Sequence, residues 1–426
     1  MANLQLKCPC CGGTLQFDDK TQHTVCPYCD SQFTAADLKA YTDELANNEQ
    51  EDTSWDESMV QAFTNEEKEG IKIYSCDSCG GEVIVEETTS SCTCPYCGNN
   101  LLVAKELSGD LKPNYVIPFK NDKEAVMDSL KKFFKKKPLL PSSFSKENVI
   151  EEIKPLYVPF WLFDADVDGK VRFKGETTRR WSDANYDYKE VKYYSIIRGG
   201  QIAFDHVPVD GSKKMEDQLM ESIEPYDFSQ AEEFNAAYLA GIAADRYDVS
   251  KDETFNRATV RFRDGTVQAF RGDISGYENV TVQDSTLQFS NTNAVYALYP
   301  VWILNTKWKD KSFRFAINGQ TGKTAGNLPI SVGKSFGFWF LFFGIFAAIG
   351  AGLGIALKSW VIAVIFAVVG IIAATSILLG MRKKNKNVQF QYGASNYVRD
   401  KSFNIDLRKS IYLGSKVTKT RRASSK

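Results

Sequence analysis

Two long uncharged stretches set the first limit on what this chain can fold into. Residues 336–357, "FGFWFLFFGIFAAIGAGLGIAL", and 360–381, "WVIAVIFAVVGIIAATSILLGM", contain no ionisable side chain, and only Lys358 and Ser359 separate them. At a rise of ~1.5 Å per residue each run makes a helix of about 33 Å, enough to cross a hydrocarbon core of about 30 Å. The break is too short for a domain, so the pair is expected to form a transmembrane hairpin. Lys334 precedes it, Arg382, Lys383, Lys384 and Lys386 follow it, and only Lys358 lies in its turn. The positive-inside tendency then places both outer ends in the cytoplasm, as a two-span protein of the plasma membrane. Gly350-x-x-x-Gly354 permits close helix contact. Neither span carries a charge, which argues against an ion or proton path.

The opposite end of the chain carries all ten cysteines, the last at position 97. "MANLQLKCPCCGG" has no apolar stretch before the first of them, so a reducing cytoplasmic setting is expected. Eight cysteines form C-x-x-C pairs: Cys8 and Cys11, Cys26 and Cys29, Cys76 and Cys79, Cys94 and Cys97. Each member of the second set lies 68 residues after its counterpart, and 14 residues separate the pairs in both sets. Two such knuckles place four thiolates tetrahedrally about one zinc, and glycines after the first knuckle (Gly12 and Gly13; Gly80 and Gly81) allow the tight bend. The expected cofactor is zinc, two ions, one per ribbon. A thioredoxin-like redox motif would need a βαβ setting that is absent here. Cys10 and Cys92 face Ser78 and Thr24 in the repeat and are expected to be spare thiols, with His23 on the surface. A ribbon of this size has too little core to fold unaided, so the metal supplies its folding energy, about 10–16 kcal/mol.

A nucleic-acid ribbon should carry clustered Lys and Arg. The second ribbon has none between Cys76 and Cys97 and carries Glu82, Glu86 and Glu87 instead. The linker "DELANNEQEDTSWDESMVQAFTNEEKEG" is acidic and would be repelled by phosphates. Nucleic acid is therefore a disfavoured partner for the ribbons, and protein contact is favoured.

The middle of the chain reads as α+β. "NDKEAVMDSLKKFFKK" has helical spacing. "LYVPFWLFDADVDGKVRF" at 156–173 and "LYPVWILNTKWKDKSFRF" at 298–315 repeat one another, aligning Trp161 with Trp302 and Pro159 with Pro300, and are expected to be two β-hairpins. Ser212 is expected to cap a helix at "KKMEDQLMESI", and Ser250 with Glu253 to open "DETFNRATVRF". "DADVDG" at 164–169 begins like a calcium loop but has Gly175 where Glu should stand, so an Asp-Gly turn is preferred. "NGQTGKT" at 318–324 has Ile317 where a phosphate loop needs glycine and is better explained by two turns. His206, one of only two histidines, is expected to be structural. No catalytic residue is assigned, and no enzyme is expected; a hydrolase site within 113–330 has no motif behind it.

The domain division expected is zinc ribbon 1 (1–34), an acidic linker (35–70), zinc ribbon 2 (71–104), an α+β domain with repeated hairpins (105–330), the membrane hairpin (331–381) and a basic cytoplasmic tail (382–426). In the tail Arg399, Lys401, Arg408, Lys409, Lys416, Lys419, Arg421 and Arg422 oppose only Asp400 and Asp406. It is expected to be solvated or drawn to anionic lipid. The fold class is thus multidomain: two small zinc ribbons, an α+β middle domain and a two-helix hairpin.

"CPYCG" and the paired knuckles resemble the transcription-factor-IIB-type zinc ribbon. The order of ribbon, "VIPF", "LYVPFWLFDADVDG", "YLAG", "NGQTGK" and membrane hairpin resembles a family of bacterial zinc-ribbon membrane proteins. The resemblance implies no enzymatic activity. It implies work beside flotillin-like (SPFH-domain) and phage-shock PspA-type proteins in envelope stress. The expected function is a membrane-anchored adaptor or scaffold that recruits cytosolic or membrane proteins at the inner face of the plasma membrane. The alternative is a membrane-tethered nucleic-acid-binding regulator. Partner identity, stimulus and oligomeric state stay open.

Overall fold

The computed structural model describes residues 7–8, 13–18, 23–28, 32–36, 38–39, 55–68, 70–86, 93–99, 103–105, 111–142, 144, 153–249, 251–308, 311–385, 388 and 393–422. Mixed α and β structure, a cysteine cluster at 76–97 and a pair of apolar helices near the C-terminus make up the chain.

Three strands dominate: β8 (Lys154–Ser182), β9 (Tyr186–Asp210) and β12 (Asn279–Trp308). β8 pairs antiparallel with β12 along one side and with β9 along the other. The repeat seen in the sequence has a structural meaning. Superposing Trp161 on Trp302 puts Val158 on Tyr299, and those two residues are directly paired, so the two copies lie antiparallel about a local two-fold. The second copy is a hairpin, β12 turning into β13 (Lys311–Asn318), as expected. The first is not. β8 runs through "DADVDG" without turning, its three carboxylates satisfied from β9, from β12 and from the segment after the apolar helices. Asp164 accepts from the His206 N–H (2.6 Å), Asp166 from Asn291 Nδ2 (2.7 Å) and from Arg399 (2.9 Å), and Asp168 from Gln201 Nε2 (3.4 Å). A chain turn occurs instead at 183–185, where Asp183 accepts two backbone N–H groups.

The second set of knuckles is wired into the same sheet. β4 (Ile71–Ser75) and β5 (Glu82–Glu86) form an antiparallel pair, and the short β11 (Ala243–Asp245) joins β5 to β8. β6 (Val103–Lys105) pairs with β4 on the outer side. At the other edge β7 (Tyr115–Val116) and β10 (Glu232–Glu233) extend β12. A small separate sheet, β1 (Gln16–Asp18), β2 (His23–Val25) and β3 (Gln32–Phe33), belongs to the first set.

Helix α1 (Lys123–Lys135) forms where the sequence places it. Asp122 caps it by accepting the Ala125 N–H at 2.8 Å, and Val126, Leu130 and Phe134 recur every fourth residue to bury one stripe against Phe144, Phe315 and Leu328. Each such side chain contributes about 1.5–3 kcal/mol. Helix α2 (Asp217–Ser222) is shorter than expected and begins after Glu216, not after Ser212, whose buried hydroxyl accepts the Lys214 N–H. Helix α3 (Lys251–Gly272) is longer than expected; Ser250 lies outside the described residues. Its Thr254, Ala258, Phe262, Thr266 and Phe270 recur every fourth residue and are fully buried against β8 and β9.

Two more expectations are corrected. The described end of the acidic linker packs into the core: Trp55 lies 4.9 Å from Phe163 and 5.5 Å from Phe262, and Phe63 is 5% exposed. Nor is the tail without regular structure over its described length, although most of its side chains stay exposed. Its residues form β15 (Asn404–Arg421), paired antiparallel with β9 over almost all of its length. The alternation in "NIDLRKSIYLGSKVTK" is broken by register shifts between Ile405 and Leu407 and between Tyr412 and Gly414.

The apolar runs form α4 (Val332–Ala356) and α5 (Trp360–Asn385), each long and apolar enough to cross a membrane. Lys358 adopts φ 52° at the turn, and the Ser359 N–H donates to Gly354 O at 2.9 Å. The helices meet at glycines: a Cβ on Gly350 would lie 2.4 Å from Phe366 Cβ, and one on Gly370 2.7 Å from Phe346 Cβ. Because β14 (Thr324–Gly326) precedes the pair and β15 follows it in one sheet, both flanks lie on the same side of any bilayer the pair enters.

Both flanks also converge on one buried ion pair. Arg261 of α3 donates to Glu224 through two nitrogens, at 2.8 and 2.6 Å, with the two residues 4% and 1% exposed. Tyr397, after the helix pair, donates its hydroxyl to Glu224 Oε2 at 2.8 Å, and Lys323, before it, donates to the Glu224 carbonyl. Gly265 permits this approach, since a Cβ there would lie 3.1 Å from the Ala394 nitrogen.

Candidate metal centre

The 76–97 cluster is built by two turns of the same kind. In the first, the Cys76 N–H donates to Gly81 O (2.9 Å) and the Gly80 N–H to Cys76 O (2.7 Å). In the second, the Cys94 N–H donates to Asn99 O (2.7 Å) and the Gly98 N–H to Cys94 O (3.0 Å). Gly80 and Gly98 have φ of 66° and 81°, the left-handed region that glycine enters without steric cost. These turns aim four sulfurs at one point, all within 4.8 Å of one another. Cys76 and Cys97 approach to 3.5 Å, as do Cys79 and Cys94. With Zn–S bonds of ~2.3 Å a tetrahedron has S···S edges of about 3.8 Å, so the spacing suits a tetrathiolate metal and is far too long for a disulfide of ~2.05 Å.

The electrostatics agree. Burial opposes charge on Cys76, but the N–H groups of Cys79 and Ser78 and the Cys97 thiol outweigh it and hold that thiol down to about 7. Burial pushes the Cys79 and Cys94 thiols up, so only a cation would draw all of the protons off. Two lysines supply nearby positive charge for a dianionic tetrathiolate: Lys214 Nζ donates to Cys79 O at 2.6 Å and Lys154 Nζ to Cys94 O at 3.3 Å. Asn305 of β12 donates to Pro95 O and Tyr96 O, both at 2.9 Å, and Arg314 of β13 holds Asn305 at 3.0 Å. These outer supports come from elements far along the chain, and no local pattern marks them. Behind the second turn Asp245 is 2% exposed, and burial pushes its carboxyl up to about 7.

Of the first set, Cys8 and Cys26 are described and are 3% and 0% exposed. Cys11 and Cys29 lie outside the described residues, as do the spare thiols Cys10 and Cys92. What is described repeats the second set: the Cys8 N–H donates to Gly13 O at 2.7 Å, and a Cβ on Gly13 would strike the Tyr28 ring at 2.6 Å, as one on Gly81 would strike the Tyr96 ring at 2.7 Å. Cys8, Cys26, Phe33 and Leu38 pack against Leu413 of β15. The two cysteine sets therefore sit at different heights on the sheet, one beside Lys154 and one beside Tyr193.

The remaining sequence candidates have structural roles. The "NGQTGKT" segment is the β13–β14 turn; buried Asn318 donates to Ile223 O and Pro225 O and accepts the N–H groups of Gln320 and Thr321 at 2.9 Å. His206, at φ 54°, stacks on Phe228 at 3.8 Å. The carboxylates of "DADVDG" are engaged by amides and Arg399, which leaves no cation cage there.

A long twisted sheet with an embedded tetrathiol cluster and an apolar helix pair defines a cysteine-cluster protein with two candidate membrane spans. The chain is 32% identical over 355 residues to a Bacillus subtilis (strain 168) protein named uncharacterized protein YdjG, a match covering 83% of this chain and 96% of the relative. It belongs to the family of that protein. No family model matches the chain. No solved structure matches it.

Proposed function

We propose that the protein is a membrane-anchored adaptor whose sheet is pinned by two zinc ions, one on Cys76, Cys79, Cys94 and Cys97 and one on Cys8, Cys11, Cys26 and Cys29. One observation carries this reading: the cysteine-bearing sheet is fastened to both ends of the apolar helix pair, which makes a rigid body held close to a bilayer. The basic residues flanking the pair support a cytoplasmic body. The likeness to bacterial zinc-ribbon membrane proteins supports partners of the SPFH-domain or PspA type and a role in envelope stress, without enzymatic activity.

Mild cross-linking in native membranes followed by affinity capture and mass spectrometry tests it. Wild type is compared with Cys8→Ser, Cys26→Ser and with Cys76→Ser, Cys79→Ser, each checked for membrane retention. Loss of a small set of membrane proteins from either variant is the expected outcome. Identical capture by all three, with both variants stably inserted, would sink the adaptor reading.

A further inference from the structure

The far end of the long strands carries a surface that neither the zinc sites nor the membrane pair uses. From Lys154, beside the 76–97 cluster, to Trp181 the strand β8 travels 27 residues, ~90 Å at about 3.3 Å each. Helix α3 and Tyr277 cover one sheet face as far as Gly175. Beyond that point the same face is open and presents a ladder of rings and cations. Trp181 and Tyr188 are cross-strand partners, stacked at 5.4 Å with an interplanar angle of 4°. Arg179 lies over the Trp181 ring at 5.5 Å, and Lys419 of β15 lies 3.8 Å from the centre of the Tyr186 ring. Trp181 is 39% exposed.

The charge here is poorly balanced. Among the described residues no carboxylate forms an ion pair with Arg179 or Arg421 on this face, nor with Arg180 or Lys189 on the other. Asp183 is spent on the turn and on the Tyr188 hydroxyl (2.8 Å), and Asp187 on Ser182 and Arg422. Glu190, opposite Arg179, is the exception on that face. Such a ledge suits a polyanion that also offers flat rings.

We propose that this three-stranded tip binds single-stranded nucleic acid, its bases displacing Arg179 from the Trp181 ring and Lys419 from the Tyr186 ring, and those cations turning with Arg421 to the phosphates. Sheet-borne aromatics flanked by cations are how open antiparallel sheets take unpaired bases. An anionic bilayer fits less well. The residues that would enter it first are the polar turn Ser182–Asn185, where the N–H of Asn185, the Tyr188 hydroxyl and the N–H of Tyr186 hold the Asp183 carboxyl below its usual range and so keep it charged.

The test uses the full chain in detergent micelles and a fluorescein-labelled oligothymidylate 20-mer, read by anisotropy from low to high salt. Wild type should bind, and Trp181→Ala with Tyr188→Ala should weaken binding at least tenfold, since each stacked base is worth about 1–3 kcal/mol. Trp181→Phe with Tyr188→Phe should bind nearly as wild type, which separates lost stacking from lost fold. Arg179→Ala should flatten the dependence of log K on log salt by about 0.7. The proposal is overturned by no binding, by equal binding of wild type and the alanine variant, by polyphosphate of equal charge competing as well as the oligonucleotide, or by vesicles rich in phosphatidylserine being bound in its place.

Discussion

The buried pair of Arg261 and Glu224 offers a quantitative test of how the membrane flanks are held. Replacing Arg261 with Met leaves the Glu224 carboxylate almost fully buried with only the Tyr397 hydroxyl to satisfy it. Removing one partner of such a pair costs about 3–5 kcal/mol. With unfolding entropy of ~2.1 cal/mol/K per residue over the 375 residues outside the helix pair, that corresponds to a fall in Tm of about 4–6 °C. Glu224→Gln on its own strands the guanidinium in the same way. The double variant should recover much of the loss, because the uncharged amide at position 224 would keep a bond to Tyr397 and Met fills the aliphatic space. The assay is thermal melting of the nanodisc-embedded chain, followed by far-ultraviolet circular dichroism, on wild type, both single variants and the double. A shift below about 1 °C for Arg261→Met, or strictly additive single effects, would refute the view that this pair is the shared anchor.

Further outcomes follow from the same contacts. The purified wild-type chain should carry two zinc equivalents by elemental analysis, and Cys76→Ser with Cys79→Ser should lose one of them and the amide-exchange protection of β4 and β5. Gly350→Leu should drive α4 from α5, since even a Cβ meets Phe366 at 2.4 Å, and should lower the nanodisc Tm by an amount matching about 1–3 kcal/mol of overpacking. Asp245 has its folded-state pKa raised by burial from 3.8 to about 7, so its contribution to stability is full below pH ~4 and is lost as pH rises towards 7. Asp245→Asn should therefore flatten the fall in Tm over that window, a fall worth at most about 4 kcal/mol for roughly three pKa units; an unchanged profile would contradict the assignment. Tyr397→Phe should raise the protease sensitivity of 386–403 by roughly tenfold, as expected for about 1.5 kcal/mol from a hydrogen bond to a charged group.

What the sequence revealed depended on how local the signal was. The two turns that carry Cys76, Cys79, Cys94 and Cys97 are short and their glycines adjacent, so spacing alone located the cluster. The apolar runs were equally plain, and the helices overrun them by only a few residues at the outer ends. Apart from the misplaced start of α2, the main failures are long-range. "DADVDG" has turn chemistry, yet Arg399 and Asn291, far along the chain, make it a strand. Trp55 sits in a stretch that reads as an acidic linker, but Phe163 and Phe262 offer it a slot. β15 is rich in basic residues and its alternation is broken by two register shifts, so it reads as a tail, and only its pairing with β9 shows otherwise. The supports of the cluster, Lys154, Lys214, Asn305 and Arg314, converge from separate elements and share no pattern.

The return of the chain from the apolar pair to the sheet has a consequence for biosynthesis. β9 emerges from the ribosome early, but its partner β15 is made only after both apolar helices, with 235 residues from Tyr186 to its partner Arg421. Until β15 is made, β9 has an open edge, and unpaired edges recruit other chains. Non-local pairing of this span is also slow. The body thus completes itself last, after both helices have been made. A chain cut short before β15 would keep an unsealed strand as a mark by which quality control could distinguish it from the finished form.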